Sequence, residues 1–196
     1  NSVVFATSGA GKSYTIKLEV LRSLMMGTDT IIIDPEYEYK HLSDAVGGTY
    51  INISLSSENK INPFDLPRAI GGEAKPKDII RSAVITLKGL VRLMIGNLTN
   101  EEDSLVDRAL LETYAKKDIT PDSDLSQIEP PTMSDFFLVL DGMEGAGELA
   151  ERMRKYTEGT FAGLLNNPTN VEMNNQLICF SVRDLEDELR PIAIYT

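Results

Sequence analysis

The feature that most constrains the fold is the passage FATSGAGKSYT, residues 5–15, with what surrounds it. It follows a short apolar, β-branched run, SVVFA. It leads into SYTIKLEVLRSLMMG, where Ile16, Val20, Leu21 and Leu24 recur at helical spacing and Gly27 stands as a C-terminal stop. The next segment, TDTIIIDPE, is a continuous apolar run of the kind buried on both faces of a parallel sheet, and Pro35 forbids its continuation. Strand, glycine-rich loop, helix and strand in that order predict a βαβ unit complete by Asp34, hence an α/β fold with a parallel sheet.

The loop also carries chemistry. It matches the phosphate-binding pattern G-x-x-x-x-G-K-[ST] except at its first position, where Ala6 stands for glycine. A nucleoside triphosphate brings several negative charges, and holding it requires many donors aimed at one place with no side chains in the way. The successive backbone N–H groups of Gly9, Ala10, Gly11, Lys12 and Ser13 can form such a nest at the positive end of the following helix. Ser8 and Tyr14 flank it and complete the expected nucleotide-binding set. The expected ligand is ATP with Mg²⁺: Lys12 reaches the β- and γ-phosphates and the Ser13 hydroxyl ligates the metal. Gly11 permits the close backbone approach, and Ala6 adds only a methyl group, tolerable where its φ is negative.

Beyond this unit, a short helix around YEYKHLSDAV ends on Gly47 and Gly48, TYINISL alternates like a strand, and SSENKINPFDLP is rich in turn residues. The character then changes. Ile79, Ile80, Ala83, Val84, Leu87, Leu90, Val91 and Met94 form one apolar helical stripe. Thr99 with Glu102, and Thr132 with Asp135, are helix-start signatures on either side of the proline-rich DITPDSDLSQIEPPT, and GELAERMRKY resumes helical spacing. NNQLICFSVRDL returns as a strand and EDELRPIAIYT begins another element. The expected organisation is a phosphate-loop core over 1–75, an all-helical insertion over 76–165 and a return to the core over 166–196. With no initiating methionine and an abrupt last element, the chain reads as a piece of a longer protein.

Other residues invite roles. Asp34, at the end of an apolar run, is either an acid that holds the Mg²⁺ water shell or, the preferred reading, a strand-end acid near the site. FFLVLDG imitates the same acidic motif and GAGELA imitates a dinucleotide fingerprint, but both need a strand where the capping signature argues helix. His41 reads as a solvated helix residue, Cys179 as core, and Met25 and Met26 as helix packing.

Thirty Asp and Glu against nineteen Lys and Arg give a net charge of −11, which disfavours direct binding of nucleic acid or anionic lipid in the absence of a basic cluster. A single cysteine excludes an internal disulfide, and no apolar run approaches the ~18 residues of a membrane span. The chain reads as cytoplasmic.

Taken together, the phosphate loop, the D-P-E-x-E-Y block at residues 34–39, the I-N-P-F-D-L block at 61–66, the P-T-N at 168–170 and the R-D-L at 183–185 resemble the large ATPases of type IV secretion and conjugation systems. The TraC-type family, the fourth protein of the VirB system within the HerA/FtsK superfamily, is the resemblance meant, and it spans essentially the whole chain. It implies a RecA-like, three-layer motor core with an all-helical subdomain. It implies ATP hydrolysis that powers export of protein or DNA–protein substrates, with partners in a secretion apparatus, homo-oligomers in the full-length protein, and indirect attachment at the inner face of the cell membrane. The family's acidic Asp-Glu strand is expected beyond Thr196. The glutamate that orients the attacking water is expected there too, with Glu38, after a strand end, as the candidate inside the chain and an exposed helix acid as its plainer reading. Two other classes compete: a DNA-translocating ATPase of the same superfamily, and an interaction module that binds nucleotide without turnover.

Overall fold

A computed structural model describes residues 3–66, 75–125 and 128–196. The chain divides into two compact units, one formed by residues 1–59 and 171–186, the other by 60–170 and 187–196.

The first unit is α/β. It comprises α1 (Lys12–Met25), β1 (Thr30–Asp34), α2 (Lys40–Val46), β2 (Thr49–Asn52) and β3 (Leu177–Ser181). The strands form a parallel sheet in the order β1-β3-β2, with Ile32 opposite Cys179 and Ile51 opposite Phe180. The last strand in sequence thus lies between the first two, and the segments leaving all three carboxyl ends meet at one edge. Cys179 is fully buried at the centre, and burial pushes its thiol up to about 12, with Asp34 adding to the shift. Gly27, with φ 79°, follows the last turn of α1, and Gly47, with φ 70°, caps α2, so each helix ends in the left-handed conformation that glycine adopts without strain.

Three expectations for this unit need correction. The described part of SVVFA is not a strand: Val3 to Phe5 have no ladder partner among the described residues, and Val3 and Phe5 are 75% and 91% exposed. A strand is a property of a pair, so an apolar run by itself cannot supply one, and the βαβ unit expected by Asp34 is replaced by the parallel pairing of β1 with β3. Nor is β1 buried on both faces. It is an edge strand whose burial alternates, leaving Ile31 and Ile33 exposed, because an apolar run records which side chains favour cover and not which element provides it. Met25 and Met26 do not pack, being 86% and 84% exposed where α1 ends.

The second unit is helical: α3 (Pro76–Ile95), α4 (Asn100–Ala115), α5 (Met133–Asp141), α6 (Gly147–Met153), a 3₁₀ turn at Arg154–Tyr156, α7 (Ala162–Leu165) and α8 (Arg190–Tyr195). The α3 stripe is buried at Ile79, Ile80, Val84, Leu87, Leu90, Val91 and Met94, and Pro76 sits at its first turn, where no N–H is needed. Complete capping boxes start α4 at Thr99–Glu102 and α5 at Thr132–Asp135, each threonine cap worth about 1 kcal/mol. FFLVLDG therefore belongs to a helix.

The I-N-P-F segment packs among these helices rather than with the sheet, because Phe64 is fully buried with its ring 6.0 Å from Tyr114 and 6.1 Å from Phe136. Polar bonds secure it. The Tyr114 hydroxyl donates to the Phe64 carbonyl at 3.0 Å, the Asn62 amide side chain to the Pro131 carbonyl at 2.8 Å, and the Asn62 N–H to Thr169 Oγ1 at 2.7 Å. The Lys60 N–H donates to Asn170 Oδ1 at 2.7 Å, so the I-N-P-F and P-T-N blocks hold each other.

Candidate nucleotide-binding loop

Residues 7–10 make a tight turn closed by the Ala10 N–H donating to the Thr7 carbonyl at 3.1 Å. Gly9 and Gly11 follow with φ of 79° and 84°, values that strain any residue bearing a Cβ. Gly11 is the N-cap of α1, so no side-chain oxygen caps the helix and no acid lies in its first turn. The helix ladder begins with the Thr15 N–H donating to the Gly11 carbonyl at 2.9 Å. The N–H groups before it have no acceptor within the helix and point out of its N-terminus. Lys12 and Ser13 open this 14-residue helix, Lys12 exposed and Ser13 half-buried. Among the described residues Lys12 makes no ion pair, so its charge is uncommitted. The donor set of open amides, one free ammonium and one hydroxyl fits a Mg²⁺–polyphosphate.

Ala6 is not among the described non-glycine residues with positive φ, so its methyl group meets the condition the sequence set for it. Exchange of Ala6 for glycine is expected to change nucleotide affinity by no more than a few-fold, measured by calorimetry. A large gain would mean that the methyl group obstructs the phosphates.

The other acid of interest lies at the end of β1. Asp34 is buried to 1% exposure. Its Oδ1 accepts from the N–H groups of Glu36 at 3.2 Å and Glu38 at 3.1 Å, and its Oδ2 from the Tyr39 N–H at 2.9 Å and the Tyr50 hydroxyl at 3.1 Å. A carboxylate has about four acceptor positions, and here protein donors occupy all of them. The loop so gathered carries Tyr37 at φ 63°, a left-handed conformation rare for a residue of its size. Glu38 lies in this loop with its side chain exposed, not on a helix, and His41 is exposed on α2. Lys17 of α1 stands 5.4 Å from the Tyr39 ring centroid, which brings the helix behind the phosphate loop against the Asp34 loop.

Residues 2–130 match the family model described as "Helicase HerA, central domain". The chain belongs to the HerA central-domain family. Among solved structures it is similar to VirB4 of Thermoanaerobacter pseudethanolicus, with a TM-score of 0.82 and 32% sequence identity over 96% of this chain and 52% of that one. The chain thus spans about half the length of that VirB4. No curated protein matches it. As a VirB4-type member of the HerA/FtsK superfamily, the HerA-family chain has a RecA-like P-loop core, and its family is one of P-loop ATPases. Among its described residues no helix is long and apolar enough to cross a membrane.

Neither imitation motif survives the structure. Phe136 to Leu140 lie in α5, and Gly145 to Gly147 form the turn into α6, with no strand before them. The sequence reading overlooked the cluster of Tyr37, Tyr50 and Arg183. Their blocks, D-P-E-x-E-Y and R-D-L, are recognisable as family motifs, but no periodicity or spacing signals that residues 37 and 183 meet.

Proposed function

We propose that this chain is the ATP-binding part of a motor that energises type IV secretion or conjugative transfer. The observation that carries the reading is the open N-terminus of α1, where the first helical N–H groups have no acceptor within the helix and, among the described residues, Lys12 makes no ion pair. Lys12 would contact the β- and γ-phosphates, with Ser8 to Tyr14 enclosing them, and the Ser13 hydroxyl would hold Mg²⁺. When bound, Mg²⁺ would neutralise charge on the phosphate oxygens. During cleavage of the β–γ bond the loop amides and Lys12 would stabilise charge on the transferring phosphoryl group, without reorganisation, because the left-handed Gly9 and Gly11 already aim them.

Asp34 takes the structural role in this scheme: its acceptors hold the 36–39 loop. Glu38 is exposed, and among the described residues nothing bonded to its carboxylate orients it. The similarity to VirB4 supports a place in a secretion apparatus, where the chain would be part of one subunit of a homo-oligomer, held at the cytoplasmic face of the membrane through partners.

The chain alone is expected to bind Mg-ATP and turn it over slowly, since a trans-acting cation is worth roughly 10³–10⁵ in rate where it operates. Phosphate release measured beside calorimetric binding tests this. Rapid, Lys12-dependent hydrolysis would contradict it, and loss of that activity in Glu38→Gln would make Glu38 the water-orienting group.

The HerA match favours a second reading, a DNA-translocating ATPase. The net charge of −11 opposes it, and salt-sensitive stimulation of ATPase activity by DNA would establish it.

A further inference from the structure

At the carboxyl ends of all three strands a cavity of about 440 Å³ is lined by Tyr37, Lys40, Tyr50, Asn52, Arg183 and Asp184. We propose that it is a second oxyanion site, which takes the phosphoryl group of a small phosphorylated ligand through the Arg183 guanidinium. This inference is independent of the phosphate loop.

Four observations converge. The carboxyl edge of a parallel sheet is where α/β folds bind ligands, and the volume lies within the range of small-molecule sites. Arg183 is exposed, and among the described residues it makes no ion pair, although the chain carries 11 more negative than positive charges. An arginine left unpaired in so acidic a chain has its planar fork available for a phosphate. Its guanidinium stands 5.8 Å from the Tyr37 ring, which in turn packs edge-on against Tyr50 with centroids 5.6 Å apart. The surface that orients Arg183 is thus built from a strained residue: Tyr37 has φ 63°, imposed by the Asp34 hydrogen bonds on either side of it. Strain of this kind persists where surrounding structure enforces it and concentrates at ligand sites.

The neighbouring charges are accounted for. Lys40 is bonded to Asp44 at 2.6 Å and lies 5.4 Å from the Tyr50 ring. Asp184 accepts from the Asn52 amide at 2.9 Å. Arg183 is therefore the cation with capacity to spare.

The test is calorimetric titration of the whole chain with inorganic phosphate and, separately, with AMP, in the unaltered protein, in Lys12→Ala, and in Lys12→Ala combined with Arg183→Gln or Arg183→Lys. Lys12→Ala is expected to retain one saturable phosphate site. Adding Arg183→Gln to it is expected to weaken that site by about 10- to 100-fold, with Arg183→Lys between. Tighter binding of AMP than of phosphate identifies a nucleotide as the source of the group, and equal binding identifies free phosphate. Unchanged phosphate affinity when Arg183→Gln is added to Lys12→Ala, or no saturable phosphate binding by Lys12→Ala, overturns the proposal. Circular dichroism of the Arg183 variants, whose side chain is exposed, confirms that loss of binding is not loss of fold. Because the Lys12→Ala background removes the loop's contribution, failure here leaves the phosphate-loop reading standing.

Discussion

Asp34→Ala is expected to destabilise the sheet-bearing unit by about 3–5 kcal/mol, read as a lower denaturant midpoint. The carboxylate is 1% exposed and accepts four hydrogen bonds, three of them from N–H groups of one short loop. Hydrogen bonds to a charged group contribute about 1.5–3 kcal/mol each, they act together here, and removing the acceptor also leaves part-buried donors without their partner. The loop is the first casualty, because without Asp34 nothing holds Tyr37 at φ 63°. Asp34→Asn is expected to lose stability as well, since an amide presents its own donors toward N–H groups that need an acceptor. A stability loss under about 1 kcal/mol in the alanine variant, with nucleotide affinity abolished instead, would move Asp34 from scaffold to site.

The largest functional effect is expected from Lys12→Ala, a loss of Mg-ATP affinity of about 100-fold or more with thermal stability unchanged. Charge-assisted bonds to phosphate are roughly twice as strong as neutral ones, and in the proposed mode the ammonium would contact two phosphate groups at once. Stability is spared because Lys12 is exposed and, among the described residues, bonded to no acid. Equal affinity in the variant would sink the phosphate-loop assignment.

What was legible in the sequence had local causes. The caps at Thr99 and Thr132 depend on a partner three residues away, and the α3 stripe on a period of 3.6, so both could be read directly. The glycine turn leading into a helix was legible for the same reason, because the glycines at 9 and 11 and the helix starting at Lys12 are neighbours in sequence.

What escaped depended on distant partners. The insertion of β3 between β1 and β2 joins residues more than a hundred positions apart, and periodicity carries no record of it. Val3 to Phe5 look like a strand by composition, yet pairing is decided by neighbours. Ile61 to Leu66 look like a loop because of their turn residues, and the burial of Phe64 between Tyr114 and Phe136 shows only in three dimensions. The Tyr37–Arg183 cluster combines both difficulties, a left-handed tyrosine fixed by a local carboxylate and a cation supplied from after β3.

The most direct test of the central claim is amide chemical-shift mapping of the chain as Mg-ATP is added. The account predicts the largest shifts at the N–H groups of Gly9, Ala10, Gly11, Lys12 and Ser13, saturating together and absent in Lys12→Ala. Saturable shifts centred on Gly145 to Gly147, with residues 9–13 unmoved, would contradict it.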